Sequence, residues 1–307
     1  MKRSTVAWGV AGLGCALFVV FGLVAVMLIG FGSNAQRKTS GSPFGIGGRV
    51  GVVDLEGIIL SSDKFCESLE KFRDAANVKA IVVRINSPGG GVAASQEIHR
   101  ELVRFRKETG KPVVVSMESV AASGGYYAAV AADRIVANPG TITGSIGVIM
   151  QWVNYADLMD WAKLRPVTIK SGALKDAGSP SRPLTDEERQ YFQAIVERLR
   201  EQFRVVVVEG RKGHLKPGTI EKMADGRIVT GDEALELGLV DEIGGLRDAV
   251  DRAAKLAGLS TPAEVWHPRP TRRGLFDILF GPAESTLAGR LMSGVPVGGG
   301  WNVYFLW

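Results

Sequence analysis

Three short runs rich in β-branched residues, "KAIVVRIN" (79–86), "KPVVVSM" (111–117) and "RIVAN" (134–138), are separated by segments of helical pattern. This alternation constrains the fold more than anything else in the chain. Each run is bounded by turn residues and reads as a buried strand. Between the first two, Ile98, Leu102 and Phe105 of "SQEIHRELVRFRK" recur at helical spacing. Between the second and third, "GYYAAVAA" (125–132) reads as a helix of small residues. A β-α-β-α-β order implies parallel pairing with right-handed crossovers. Functional sites in such sheets form at the carboxyl ends of strands. Two glycine-rich stretches, "NSPGGG" (86–91) and "VAASGG" (120–125), fall at such ends.

A strand-like "RVGVVDLEGIIL" (49–60) precedes this core, and a more helical region follows it. Thr185 with Glu188, and Thr230 with Glu233, form capping boxes that open helices. Phe192, Ile195, Val196, Leu199 and Phe203 line one face of the first of these, as a core or interface stripe. A last helix is expected over about 245–257. "RPVTI" (165–169) is expected to be a strand leading into a small-residue loop, "KSGALKDAGSP".

Residues 1–5 form a short charged start, and 6–32 carry no charged residue. That is longer than the roughly 20 residues a helix needs to span a bilayer. A cleavable signal peptide is the rival, since "SNA" (33–35) looks like a cleavage site. A signal peptide's apolar stretch is usually only about 7–15 residues, which favours an uncleaved anchor. Lys2 and Arg3 face Arg37 and Lys38 across the span, so charge does not set its orientation. Residues 33–48 read as a flexible linker, 49–258 as the folded domain and 259–307 as a tail of different character. The net charge of +5 carries no dense basic run, which argues against nucleic acid as a partner. Cys15 lies in the span and Cys66 alone in the domain, so no disulfide forms inside it; both read as inert thiols without metal-site spacing.

Ser123, in "SVAASGGYYAA", is the candidate nucleophile. A serine hydroxyl needs a base. His99, on the polar side of a helix, and His214, in a charged turn, read as solvated, and His267 lies in the Pro-rich tail, so a histidine triad is disfavoured. A lysine deprived of water can serve instead, because desolvation disfavours its ammonium. Lys175 is the candidate, with Lys170 as a local competitor. An oxyanion also needs backbone N–H donors, which glycine-rich turns at strand ends can present.

"INSPGGGV", "VAASGGYYAAVAADRIVANPGTITGSIGV" and "KSGALKDAGSP", in that order, resemble the signal peptide peptidase A family over about residues 49–257. The resemblance implies an α/β Clp-protease/crotonase-like fold of repeated ββα/βαβ units behind one N-terminal transmembrane helix. It implies a membrane-anchored serine endopeptidase that degrades cleaved signal peptides. Its catalytic domain is expected outside the cytoplasm, at the cell (inner) membrane. The family's roles fall on Ser123 as nucleophile and Lys175 as general base. They fall on Gly90 (Gly89 as alternative) and Gly124 as oxyanion donors, and on Ser145 as a hydrogen-bond partner of the lysine. No metal or organic cofactor is implied. The chain holds one copy of a unit that long members repeat; short members form homo-oligomeric rings in which neighbouring chains complete each dyad.

Two rival readings stand beside this one. A crotonase-type acyl-CoA enzyme would need acids such as Glu97 or Glu118 over a thioester pocket, and an inactive scaffold would only bind membrane peptides. The terminal "WNVYFLW" reads as packing on a neighbouring subunit or the membrane surface, or, more sharply, as an occupant of the peptide groove.

Overall fold

The computed structural model of the protein describes residues 48–267 and 303–306. All lie in the unit Gly47–Trp307. The anchor (6–32), the linker up to residue 47, Cys15 and the rest of the tail lie outside the described residues. Among those described, no helix is long and apolar enough to cross a membrane.

In chain order the strands are β1 (Arg49–Glu56), β2 (Val78–Ser87), β3 (Gly89–Gly91), β4 (Val113–Ala122), β5 (Arg134–Ala137), β6 (Ile142–Gly144), β7 (Ile149–Met150), β8 (Ile228–Val229), β9 (Glu242–Ile243), β10 (Glu264–Trp266) and β11 (Val303–Leu306). The helices are α1 (Asp63–Arg73), α2 (Val92–Thr109), α3 (Gly124–Ala129), α4 (Ala156–Trp161), α5 (Asp186–Gly210), α6 (Thr219–Met223), α7 (Gly231–Leu237) and α8 (Leu246–Leu256), with a 3-10 turn at Ala173–Asp176.

The main sheet runs β10–β1–β2–β4–β5–β9 and is parallel along this path. Both faces are covered, which explains why the central strands are nearly continuous apolar runs. Val50, Val52, Ala80, Val82, Val114 and Val136 point to one side, under the small residues Ala249, Ala253 and Ala254 of α8. Their neighbours Val53, Ile81, Val83, Val113 and Val115 point to the other, where Phe65, Leu69 and Phe72 of α1 meet the α2 stripe. In that stripe Ile98, Leu102 and Phe105 are fully buried. Each contributes on the order of 1.5–3 kcal/mol of burial.

β4 changes neighbours along its length. Its first half pairs with β2 and β5, and its end, Val120–Ala122, pairs with Ile142–Gly144 of β6. A register irregularity between Ile85 and Ser87 of β2 accompanies the change. Both glycine-rich stretches therefore emerge together at the carboxyl end of the sheet. A second, antiparallel sheet, β3–β11–β7, lies beside this edge.

Both capping boxes are present. Thr185 and Glu188 exchange side-chain-to-backbone hydrogen bonds at the start of α5, and Thr230 and Glu233 do so at α7. "RPVTI" is not a strand. Residues 164–170 have no regular structure, with Val167 88% and Ile169 97% exposed. A strand needs a partner edge for its backbone groups, and none lies beside this segment among the described residues.

Candidate active site

Ser87 closes β2 and fixes the next turn. Its Oγ donates to the carbonyl of Gly57 (2.6 Å) and accepts from the N–H of Gly89 (3.1 Å). Gly89 then takes φ +104°, a conformation that suits glycine. Ile59 docks alongside: its N–H donates to the Gly89 carbonyl (2.9 Å), and its carbonyl accepts from Gly91 (2.7 Å). Backbone groups alternate along a strand, so the N–H of Gly90 faces away from Ile59. A Cβ at Gly90 would lie 2.2 Å from the Ile59 oxygen, so any side chain there forces the backbone to shift.

β4 delivers Ser123 to the same place. Ser123 caps α3 with φ +52° and ψ −117°, a strained elbow for a residue with a Cβ. Strain of this type costs on the order of 1–3 kcal/mol. Two hydrogen bonds hold it: its N–H donates to Gly144 (2.9 Å), and its carbonyl accepts from Tyr127 (2.8 Å). Ser123 is fully buried, and its Oγ has no hydrogen-bond partner among the described residues. Gly124 follows. A Cβ there would lie 2.4 Å from Ser95 Oγ and 3.2 Å from the Gly90 nitrogen, so the two glycines are packed against each other.

Ser145 lies one residue beyond β6 and is buried, also with φ +52°. Its N–H donates to the Arg227 carbonyl (2.8 Å). The structure thus brings Gly90, Gly124, Ser123 and the Ser145 backbone to one end of the sheet. It does not bring Lys175 to Ser123 within one chain. Lys175 stands exposed on the 3-10 turn Ala173–Asp176.

Lys170, the competing lysine, is already engaged. Its Nζ donates to the carbonyl of Ala173 (2.9 Å) and to Asp176 Oδ1 (2.5 Å). Arg182, which the sequence reading passed over, staples this turn to α5. Its guanidinium donates to the Asp176 carboxylate and carbonyl and to both oxygens of Glu188. The Arg182 hydrogen bond, followed by that of Lys170, holds the Asp176 carboxyl down at about 2. Arg182 likewise brings Glu188 to about 2. Glu188 was legible as a cap, but nothing local in the sequence marks its second role.

One histidine differs from expectation. His99 is half-buried rather than solvated and packs edge-on against Tyr127. Burial, then the charges of Arg100 and Arg106, lowers its pKa to about 4. His214 Nδ1 lies 3.1 Å from Asp241, a carboxylate that also takes both arms of the buried Arg211 guanidinium. His267 is exposed. Cys66 is inert: burial, then Glu101, Glu97 and Asp63, pushes its thiol up to about 11.

The pattern that defines peptidase family S49 matches residues 105–260, half of the chain, including Ser123, Gly124, Ser145 and Lys175. The chain belongs to peptidase family S49. A protein of Methanocaldococcus jannaschii described as a protease is 40% identical over 66% of this S49 chain and 64% of its own length. A protein of Enterococcus faecium named for signal peptide peptidase SppA is 39% identical over 62% of this chain and 55% of its own. Protease 4 of Salmonella typhi is 37% identical over 74% of this chain and 37% of its own. The S49 chain thus matches less than two thirds of each relative's length. Among solved structures, a Listeria monocytogenes ClpP1 mutant covers 65% of this chain and 94% of its own, at 22% identity and a TM-score of 0.44.

Proposed function

We propose that this S49 chain is a membrane-anchored serine endopeptidase of Clp-protease/crotonase-like fold. The observation that carries the reading is the buried, partnerless Ser123 oxygen, held on a strained elbow beside the packed amides of Gly90 and Gly124. Strain of this kind persists where a site needs it.

In the proposed reaction the neutral amine of Lys175 takes the Ser123 proton as Oγ attacks a peptide carbonyl. The N–H groups of Gly90 and Gly124 hold the oxyanion. The departing amine takes its proton from the Lys175 ammonium. Water, deprotonated by the same amine, then frees the acyl group and restores Ser123. Ser145 orients the lysine. Each donor amide supplies roughly 3 kcal/mol to the tetrahedral state.

Lys175 comes from a neighbouring copy in this account. The segment before it exposes Trp161 (81%), Val167 and Ile169, an apolar stretch of the kind that marks an interface. Burial at such a contact favours the neutral form of a lysine. A ring anchored through residues 6–32, outside the cytoplasm, suits cleaved signal peptides and other apolar membrane-associated peptides as substrates. A small or apolar preference in the specificity pocket follows, and a peptide library that favours charged side chains would contradict it.

The crotonase-type reading loses its acids. Glu97 accepts from Ser62 Oγ (2.6 Å), and Glu118 is paired with Arg84. A serine-directed fluorophosphonate, run beside cleavage of an apolar peptide, separates the remaining readings. The wild type should label at Ser123 and cleave, and Ser123→Ala should do neither. Lys175→Ala should not cleave. A wild type that binds peptide without cleaving it would leave only the scaffold.

A further inference from the structure

Ser95 lies on the buried face of α2, in line with Val92, Ile98 and Leu102, and is fully buried. Alanine is the better helix former at such a position. A serine that bonds back to the carbonyl four residues earlier slightly weakens a helix. A buried hydroxyl also costs free energy unless it finds a partner. Ser95 Oγ finds one, donating to the carbonyl of Gly91 across 3.0 Å. That bond satisfies the hydroxyl without explaining it, since an alanine would have nothing to satisfy.

The explanation lies on the other side of the oxygen. Around the place a Cβ would take on Gly124, Ser95 Oγ is the nearest heavy atom, followed by the Gly90 nitrogen (3.2 Å) and the Gly89 Cα (3.3 Å). Gly124 begins α3 and does not have a positive φ. Its backbone would therefore accept alanine, and only its surroundings demand glycine. One hydroxyl is thus tied to the residue that ends β3 and pressed against the residue that begins α3. These two elements carry the amides of Gly90 and Gly124.

We infer that Ser95 is a positioning residue for the oxyanion site, its hydroxyl setting the spacing of the Gly90 and Gly124 amides. The inference rests on the proposed peptidase function. Ser95 acts through the two glycines. Without its Oγ, Gly124 loses one of three walls and the pair of amides loosens. A misplacement of about 1 Å costs about 10²-fold in rate, so a shift of a fraction of that costs about tenfold. Charge develops on the oxyanion only in the tetrahedral state, so the loss falls on kcat.

The test uses the full chain, steady-state cleavage of an apolar peptide, and a boronate of the same peptide. The boronate closes on a serine oxygen as a tetrahedral adduct and so counts active sites. Ser95→Ala should lose about tenfold in kcat per titrated site with KM unchanged, and should bind the boronate about tenfold more weakly. On a Ser123→Ala background, Ser95→Ala should leave binding of the uncleaved peptide unchanged. A merely structural loss would lower the Tm and the number of sites and spare kcat per site. Ser95→Cys, with a larger atom in the same place, should crowd Gly124 and also lower kcat per site. Gly124→Ala should lose at least about 100-fold in kcat. Ser95→Ala combined with Gly124→Ala should regain about tenfold or more of that loss, because removing Oγ opens the space the new Cβ needs. Wild-type kcat per site in Ser95→Ala, or a double variant no more active than Gly124→Ala, would overturn the inference and leave the peptidase intact. A wild type that neither cleaves the peptide nor takes up the boronate would overturn the peptidase, and the inference with it.

Discussion

The N–H of Ser123 donates to the carbonyl of Gly144 across 2.9 Å, so the ladder between β4 and β6 ends on the backbone of the proposed nucleophile. Ser123, one residue beyond β4, and Ser145, one residue beyond β6, both adopt φ +52°. The proposed nucleophile and the proposed partner of the lysine are thus set by a single piece of sheet.

Gly90→Ala tests the oxyanion amide. Its Cβ would need to occupy space 2.2 Å from the Ile59 carbonyl oxygen, so the Gly90 N–H must move. Loss of one such donor costs about 10²–10³ in kcat. The prediction is a kcat decrease of at least about 100-fold with KM changed far less, read from steady-state peptide cleavage.

Arg182→Ala tests the staple on the Lys175 turn. Removal frees both Asp176 and Glu188, and Arg182→Lys cannot restore two bidentate arms. Both variants should lose about tenfold or more in kcat, the scale on which small misplacements of a reacting group act. Circular dichroism should stay unchanged. Full activity in Arg182→Ala would remove the staple from the account.

Much of this arrangement was legible beforehand, for physical reasons. Ile98, Leu102 and Phe105 announced α2 because a helix buries one face, and Thr185 and Thr230 announced helix starts because orphan N–H groups need acceptors. The placing of Ser123 and Gly90 at strand ends followed from the parallel order. β3 was hidden: three glycines read as a turn, and only Ile59 and β11, distant in sequence, make them a strand. "RPVTI" misled because its β-branched residues state a preference for pairing while the described residues supply no partner. His99 carried the helix's polar spacing but met Tyr127 from α3, a contact no local pattern contains.

His99 sets a pH dependence of stability. Its folded pKa, about 4, lies below the usual value of 6.5, so the unfolded chain binds the proton first. Its contribution is fully present above pH 6.5 and is lost as pH falls through the window from 6.5 to about 4. The loss is on the order of 2–3 kcal/mol. His99→Gln should flatten the Tm profile across that window; an unchanged profile would show that His99 is not the titrating group.

Ile169→Asp tests the exposed arm. A carboxylate at a site that is 97% exposed in the single chain should leave the fold of that chain intact. If neighbouring copies cover the arm, burying the charge opposes assembly. Light scattering should show dissociation, with peptidase activity falling in step; an active, fully assembled variant would contradict the interface.

The pairing of Ser123 with a lysine from another chain is tested most directly by mixing. Ser123→Ala and Lys175→Ala chains, each inactive alone, are unfolded together, refolded and assayed on an apolar peptide. Head-to-tail contacts in a ring predict that about a quarter of the sites regain both groups, with activity in proportion. A Lys175→Ala chain that cleaves at the wild-type rate, or a mixture that assembles and stays silent, would contradict it.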